Sequence, residues 1–155
     1  MKILFLDIDG VLNSERYIRK CGRCGLLIDP TRLALVKMIV DATDAKIVLT
    51  TSWREHWDID VNGCDSVGCE INDVFSEIGL RIFDKTPSID RNREKEIEEW
   101  LGYNYPIDNF VVIDDCFLDS KTIRGHFVKT DNYSDGIDES NVEEAIKILK
   151  YDYMG

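Results

Sequence analysis

Hydrophobic positions along this chain follow two rhythms that alternate from end to end. Continuous apolar runs at residues 2–8 (KILFLDI), 45–52 (AKIVLTTS), 109–115 (NFVVIDD) and 126–130 (HFVKT) are those of strands buried on both faces. LRIF at 80–83 is a shorter run of the same kind. Helical spacing lies between them. Asp29-Pro30 offers an N-cap and a first helical residue, and Leu33, Val36, Lys37 and Val40 follow at helical intervals. INDVFSEIGL predicts a short helix over 71–80 that stops at Gly79. RNREKEIEEWL predicts one over 91–101, with Ile97, Trp100 and Leu101 on one side. Asp138 caps a last helix, ESNVEEAIKILKY. Residues 13–28 carry glycine and asparagine breakers and predict irregular structure. Strands alternating with helices predict an α/β fold, a Rossmann-like three-layer sandwich around a mostly parallel sheet. No repeat, low-complexity segment or linker interrupts it. Residues 1–155 therefore read as one domain, with a flap at 13–29 and a short insertion at 55–80.

The polar residues matter most where the apolar runs end, because open sheets of this class bind ligands beyond the carboxyl ends of their strands. The first run ends in Asp7 and Asp9, the second in Thr50, Thr51 and Ser52, and NFVVIDD in Asp114 and Asp115. Two close carboxylates do not both ionise cheaply without a cation. A merely solvated strand end would be served as well by Lys or Ser. Four carboxylates at one edge call for a hard cation, and Mg²⁺ suits all-oxygen ligation. Such an ion keeps open positions for a phosphate oxygen. Thr51 or Ser52 could bind a second oxygen. Arg93 or Lys95, at the start of a helix whose N-terminus itself favours anions, could neutralise a third. Gly10 suits a tight backbone departure from the first strand.

Charge and cysteine content narrow the partners. The net charge of −11 excludes nucleic-acid binding through the overall field, though not through a local patch. Arg16, Arg19, Lys20 and Arg23 form such a patch close behind the aspartate pair, and a solvated loop would explain them equally well. No apolar run approaches the roughly 20 residues of a membrane span. Asp7 and Asp9 interrupt the N-terminal run too early for a signal peptide. These features predict a soluble, cytoplasmic protein without a membrane partner. Five cysteines, an odd number, argue against a disulfide framework. Cys21, Cys24, Cys64 and Cys69 could hold a structural zinc, but their irregular spacing favours free thiols.

DIDGVLN, then VLTTSWR, then an Arg/Lys-bearing helix, then VVIDD resemble, in order, the four motifs of the haloacid dehalogenase-like (HAD) hydrolase superfamily. The resemblance covers essentially the whole chain. Within the superfamily, TTSWR, RNREKEIEEWL, VVIDD and FVKTDNYSDGI look like the phosphatase-type domain of Swiss Army knife RNA repair proteins. The resemblance implies a phosphatase in which Asp7 is the nucleophile that forms an aspartyl-phosphate, and Asp9 the general acid and then base. It implies Mg²⁺ held by the Asp7 carboxylate, the Asp9 backbone carbonyl and Asp114, with Asp115 beside them. Ser52, with Thr51 in reserve, would bind phosphoryl oxygens, and Arg54 could contact substrate. Arg93 would be the phosphate-stabilising cation, with Lys95 and Lys85 as rivals. Aspartate at both of the first positions resembles phosphatases and phosphotransferases rather than dehalogenases or ion pumps. Val11 departs from the threonine many relatives carry.

Too few residues lie between Asn13 and Pro30 for a folded cap domain, so the site should be open. That suits a large phosphorylated substrate, such as a nucleic-acid end, or a small-molecule phosphate with other cover. A non-catalytic or signalling metal-binding module of the same fold is the alternative, although a receiver domain orders its aspartates differently. Among the remaining residues, Cys116 reads as packing and Asp119 as a helix N-cap or metal-loop residue. His56 and His126 read as structural, and Trp53 and Trp57 as core or lid aromatics, with base stacking as the alternative.

Overall fold

A computed structural model describes residues 1–22, 27–104 and 106–151. Five parallel strands form its sheet: β1 (Lys2–Leu6), β2 (Lys46–Leu49), β3 (Ile82–Lys85), β4 (Asn109–Asp114) and β5 (Phe127–Lys129). Their spatial order is β3-β2-β1-β4-β5. The helices are α1 (Glu15–Cys21), α2 (Pro30–Thr43), α3 (Ser66–Glu77), α4 (Arg93–Tyr103) and α5 (Glu139–Lys150). The fold is the α/β, Rossmann-like arrangement that the alternating rhythm predicts.

Both faces of the sheet are covered, which is why the strands read as unbroken apolar runs. Leu4, Leu6, Ile47, Leu49, Val111 and Ile113 point into one core, shared with Val36 and Ile39 of α2, Phe75 of α3 and Val142 of α5. Ile3, Phe5, Val48, Phe110 and Val112 alternate to the other face, against Ile97 and Trp100 of α4. The Trp100 ring meets Phe5 edge-on at 5.4 Å, and its indole N–H donates to Asp84.

Strand order fixes where a ligand can sit. From β1 the chain crosses to β2 on one side, and later returns to β4 on the other. The switch point therefore lies between β1 and β4. Leu6 is in register with Ile113 and with Leu49, so the next residues, Asp7, Asp114 and Thr50, emerge side by side.

Four expectations need correction. Residues 13–28 are not wholly irregular: Ser14 accepts from the Tyr17 N–H and starts α1. That helix buries none of its residues, so it leaves no apolar period to detect. The helix expected from Ile71 begins at Ser66, because Asp65 caps it through the Val67 and Gly68 N–H groups. Asp119 caps no helix; residues 121–125 form a turn in which Ile123 and Arg124 donate to the Ser120 carbonyl. The short strand after α3 is Ile82–Lys85 rather than 80–83.

Candidate functional site

β1 ends one residue before Asp7, which the sheet still holds through its N–H bond to the Ile113 carbonyl. Its side chain is buried, and one carboxylate oxygen accepts from the Ile8 N–H at 2.8 Å. Ile8 turns into the core, and the chain then reverses through Gly10. Gly10 has a φ of 80°, and a Cβ there would lie 2.3 Å from Asp115 Oδ2. Only glycine combines that conformation with that proximity. Thr130, just past β5, donates to the Gly10 carbonyl at 2.7 Å and ties the reversal to the sheet.

Asp114 is the last residue of β4 and fully buried. Arg93, the first residue of α4, reaches both strand ends: Nη1 lies 2.5 Å from Asp114 Oδ2 and 3.5 Å from Asp7 Oδ2. Burial, then the neighbouring Asp114 charge, push the Asp7 carboxyl up to about 7 against the pull of Arg93. Asp114 is also raised, chiefly by burial. Burial lowers the Arg93 pKa, but Asp7, Asp114 and Glu96 outweigh it and raise it overall. One guanidinium thus does not neutralise the pocket.

The excess negative charge fits a hard divalent cation. Among the described residues, Asp114, Asp115 and Cys116 are the one group of at least three carboxylate, thiol or imidazole ligands whose donor atoms lie within 4.8 Å of one another. Asp7 lies outside that group and is linked to Asp114 through Arg93. Cys116 is exposed rather than packed, so that expectation is corrected; its thiol is raised by partial desolvation and by the neighbouring carboxylates. A protonated thiol is a poor ligand for a hard ion, which leaves the aspartates.

Asp9 stands apart from these carboxylates. Its Oδ2 accepts from the Trp53 indole N–H at 2.9 Å, and its Oδ1 from the Asn13 amide at 3.2 Å. Asn13 itself is locked by the Gly10 N–H and the Leu27 carbonyl. Trp53 and Asn13 thus fix the orientation of the Asp9 side chain independently of Arg93. Neither Trp53 nor Asn13 stood out as a site residue in the sequence, because each contacts Asp9 only through the fold.

The two hydroxyl candidates part. Thr51 is buried, and its oxygen accepts from the Trp53 N–H as the cap of a 3-10 turn at Ser52–His56. Ser52 is exposed and shares a cavity of about 800 Å³ with Arg93. The three cations part as well. Arg93 touches the aspartates, whereas Lys95 is exposed on α4. Lys85 donates to the Arg54 and Trp57 carbonyls at 3.1 and 2.6 Å. Arg54 turns inward: it meets Glu96 at 2.5 Å and donates to the Thr50 and Thr51 carbonyls. It braces the loop that carries Ser52 while still lining the cavity that Ser52 and Arg93 share. Glu96 in turn lies 3.8 Å from Arg93 Nε and accepts from the Ile89 N–H, so it helps to position Arg93.

The remaining candidates are structural or scattered. His56 pairs with Asp65 at 2.5 Å, and His126 stacks on Phe110 at 4.1 Å. Trp57 is core and donates to Asn72. Cys21, Cys64 and Cys69 form no metal-binding group among the described residues, and Cys24 and Arg23 lie outside them. No described helix is long and apolar enough to cross a membrane.

Comparison with known proteins adds one finding. A family model described as the HAD domain in Swiss Army Knife RNA repair proteins matches residues 3–142. No curated protein and no solved structure matches the chain.

Proposed function

We propose that this chain, which belongs to the family of HAD domains in Swiss Army Knife RNA repair proteins, is a Mg²⁺-dependent phosphohydrolase that works through an aspartyl-phosphate. The observation that carries the reading is the placement of Arg93 between Asp7 and Asp114 at the switch point, with Asp9 oriented separately beside them. Nucleophile, cation and acid are then distinct groups with distinct supports.

Asp7, Asp114 and the Asp9 carbonyl would hold the ion, with Asp115 beside them. Mg²⁺, when bound, supplies charge neutralisation for the phosphoryl oxygens. Arg93 and the Ser52 hydroxyl bind the oxygens that face α4 and orient the phosphorus towards Asp7. An Asp7 oxygen attacks phosphorus, the bond to the leaving oxygen breaks, and protonated Asp9 gives its proton to that oxygen. Asp9, now a carboxylate, takes a proton from water as the water attacks the aspartyl-phosphate. Phosphate leaves and Asp7 is regenerated.

The family's setting in RNA repair, and the exposed basic residues of α1, favour a nucleic-acid terminal phosphate as substrate. The test is phosphate release from an aryl phosphate and from 3′- and 5′-phosphorylated oligonucleotides, with Mg²⁺ or EDTA. Turnover that vanishes in EDTA and in Asp7→Asn, and is fastest on oligonucleotide ends, is the expected result. Turnover indifferent to Asp7 would remove the mechanism. A preference for aryl over oligonucleotide phosphate would leave a small-molecule phosphatase.

A further inference from the structure

The mechanism gives direction to the two cavities. The larger contains Ser52 and Arg93 and so faces the phosphoryl oxygens. The other, of about 470 Å³, is bounded by Asp9, Asn13, Ile18, Leu27, Trp53 and Asn132. An acid that protonates a leaving oxygen must face it, so the cavity that shares Asp9 is the one on the leaving-group side.

Its lining describes what fits. Glu15 and Asp115 add two carboxylates to that of Asp9, and no cation lines it among the described residues. A leaving group with further negative charge next to the scissile bond is therefore repelled. Ile18, Leu27 and the indole of Trp53 supply apolar walls. The bond from the Trp53 N–H to Asp9 anchors one edge of that ring, which also packs against the core. Asn132 gives one amide N–H to Asp115 at 3.2 Å, which leaves a second N–H and a carbonyl for a guest. An uncharged, flat, hydrogen-bonding group is the best match, and the volume lies within the range of small-ligand pockets. The cations stand outside. Arg16, Arg19 and Lys20 are exposed on α1, the helix that contributes Glu15 and Ile18, and the Arg19 guanidinium lies 5.7 Å from the Tyr133 ring centroid. Their pairs, Arg16 with Asp135 at 3.6 Å and Arg19 with Glu15 at 4.0 Å, are surface pairs that a phosphate can displace.

We propose that this cavity takes the terminal nucleoside of a single-stranded nucleic acid as the leaving group, its base stacked on Trp53, and that Arg16 and Arg19 bind the next backbone phosphate. The assignment rests on the phosphatase reading of Asp7 and Asp9. A neutral, flat nucleoside matches the slot and a strand continues with a phosphate; a phosphopeptide provides neither.

The test measures binding rather than turnover, using Asp7→Asn protein and four probes: a nucleoside monophosphate, ribose 5-phosphate, a phosphorylated single-stranded oligonucleotide and a phosphoserine peptide. The nucleoside monophosphate should bind at least about tenfold more tightly than ribose 5-phosphate, the scale of one base on one aromatic ring. Adding Trp53→Leu should reduce that ratio to about twofold or less, while Trp53→Phe, which keeps an aromatic face, should retain most of it. The oligonucleotide should bind more tightly still, with a salt dependence that Arg19→Glu weakens. Equal binding of nucleotide and sugar phosphate, or a preference indifferent to Trp53→Leu, would overturn the proposal. So would a peptide that binds as tightly as the oligonucleotide. Absence of Asp7-dependent turnover of aryl phosphate by the unmodified protein is a separate result: it would sink the phosphatase reading and leave the binding ratios to judge the cavity on their own.

Discussion

Two buried charge clusters meet at the first turn of α4, and they are built on opposite plans. In one, Arg54 and Glu96 lie 2.5 Å apart, Arg54 Nη1 donates to the Thr50 and Thr51 carbonyls, and the same Glu96 oxygen accepts from the Ile89 N–H. In the other, Asp7 and Asp114 face a single guanidinium, and Asp7 is driven up to about 7. The first cluster is complete without a ligand. In the second, negative charge exceeds positive, and both carboxyls are raised. Arg93 joins them, since it touches Asp7 and Asp114 on one side and Glu96 on the other. Burial alone therefore does not mark a functional charge; burial without matching partners does.

Removing the key group from each cluster should separate activity from stability. Asp7→Asn deletes the proposed nucleophile and should lower turnover by at least roughly a thousandfold. It also removes a buried negative charge, so the metal-free variant should melt no lower than the parent. Phosphate-release kinetics and a melting curve in EDTA on the same preparation check both. A variant that keeps a tenth of its activity would end the case for Asp7 as nucleophile.

Glu96→Gln should do the converse. It leaves Arg54 buried without its counter-charge, and breaking one partner of such a pair costs about 3–5 kcal/mol. Chemical denaturation should show that loss. Turnover per folded molecule should fall less than in Asp7→Asn, because Glu96 only orients Arg93. If Glu96→Gln were as stable as the parent, the bracing role of this pair would be wrong.

Between these two stands Arg93. Arg93→Ala removes the cation from the site, and loss of one preorganised charge contact costs on the order of 100-fold in turnover. Lys95→Ala, on the exposed side of the same helix, should change turnover by less than about twofold. Equal effects of the two would mean that the helix start acts only through its backbone.

This contrast was half legible in the sequence. Asp7, Asp114 and Asp115 announce themselves, because each ends a run of residues buried on both faces and parallel register then brings the run ends together. The partners of Asp9 give no such signal. Trp53 and Asn13 lie 44 and 4 positions away, and any tryptophan after a strand reads equally well as core. The inward partner of Arg54 was hidden for a related reason, because Glu96 is one of several glutamates in EKEIEEW. Helix α1 escaped because it buries nothing: two backbone bonds, from Glu15 and Arg16 to the Asn132 and Tyr133 carbonyls, hold it where apolar contacts would have left a period.

The smallest effect sharpens the comparison most, because it reads the uncompensated cluster directly. The ordinary Asp value is 3.8, and in the folded protein Asp7 sits near 7. The folded state therefore binds more protons than the unfolded chain between these values, and stability must fall as pH rises through that window. The loss is complete above about pH 7. Asp65, Asp108 and Asp131 work in the other direction, since each is held below the ordinary value; their contribution is present above about pH 4 and fades only below it. From pH 5 to 8, Asp7 and the raised Asp114 set the slope. In EDTA the melting temperature should decline by a few degrees across that range. Mg²⁺ should offset the decline by binding only the folded protein. Asp7→Asn should flatten the EDTA profile, because it removes one of the two raised carboxyls, whereas Glu96→Gln should lower the whole curve without changing its slope as much. A profile in EDTA that rises from pH 5 to 8, or one that Asp7→Asn leaves unchanged, would mean that the negative charge at the end of β1 is already compensated, and the distinction between the two clusters would fall.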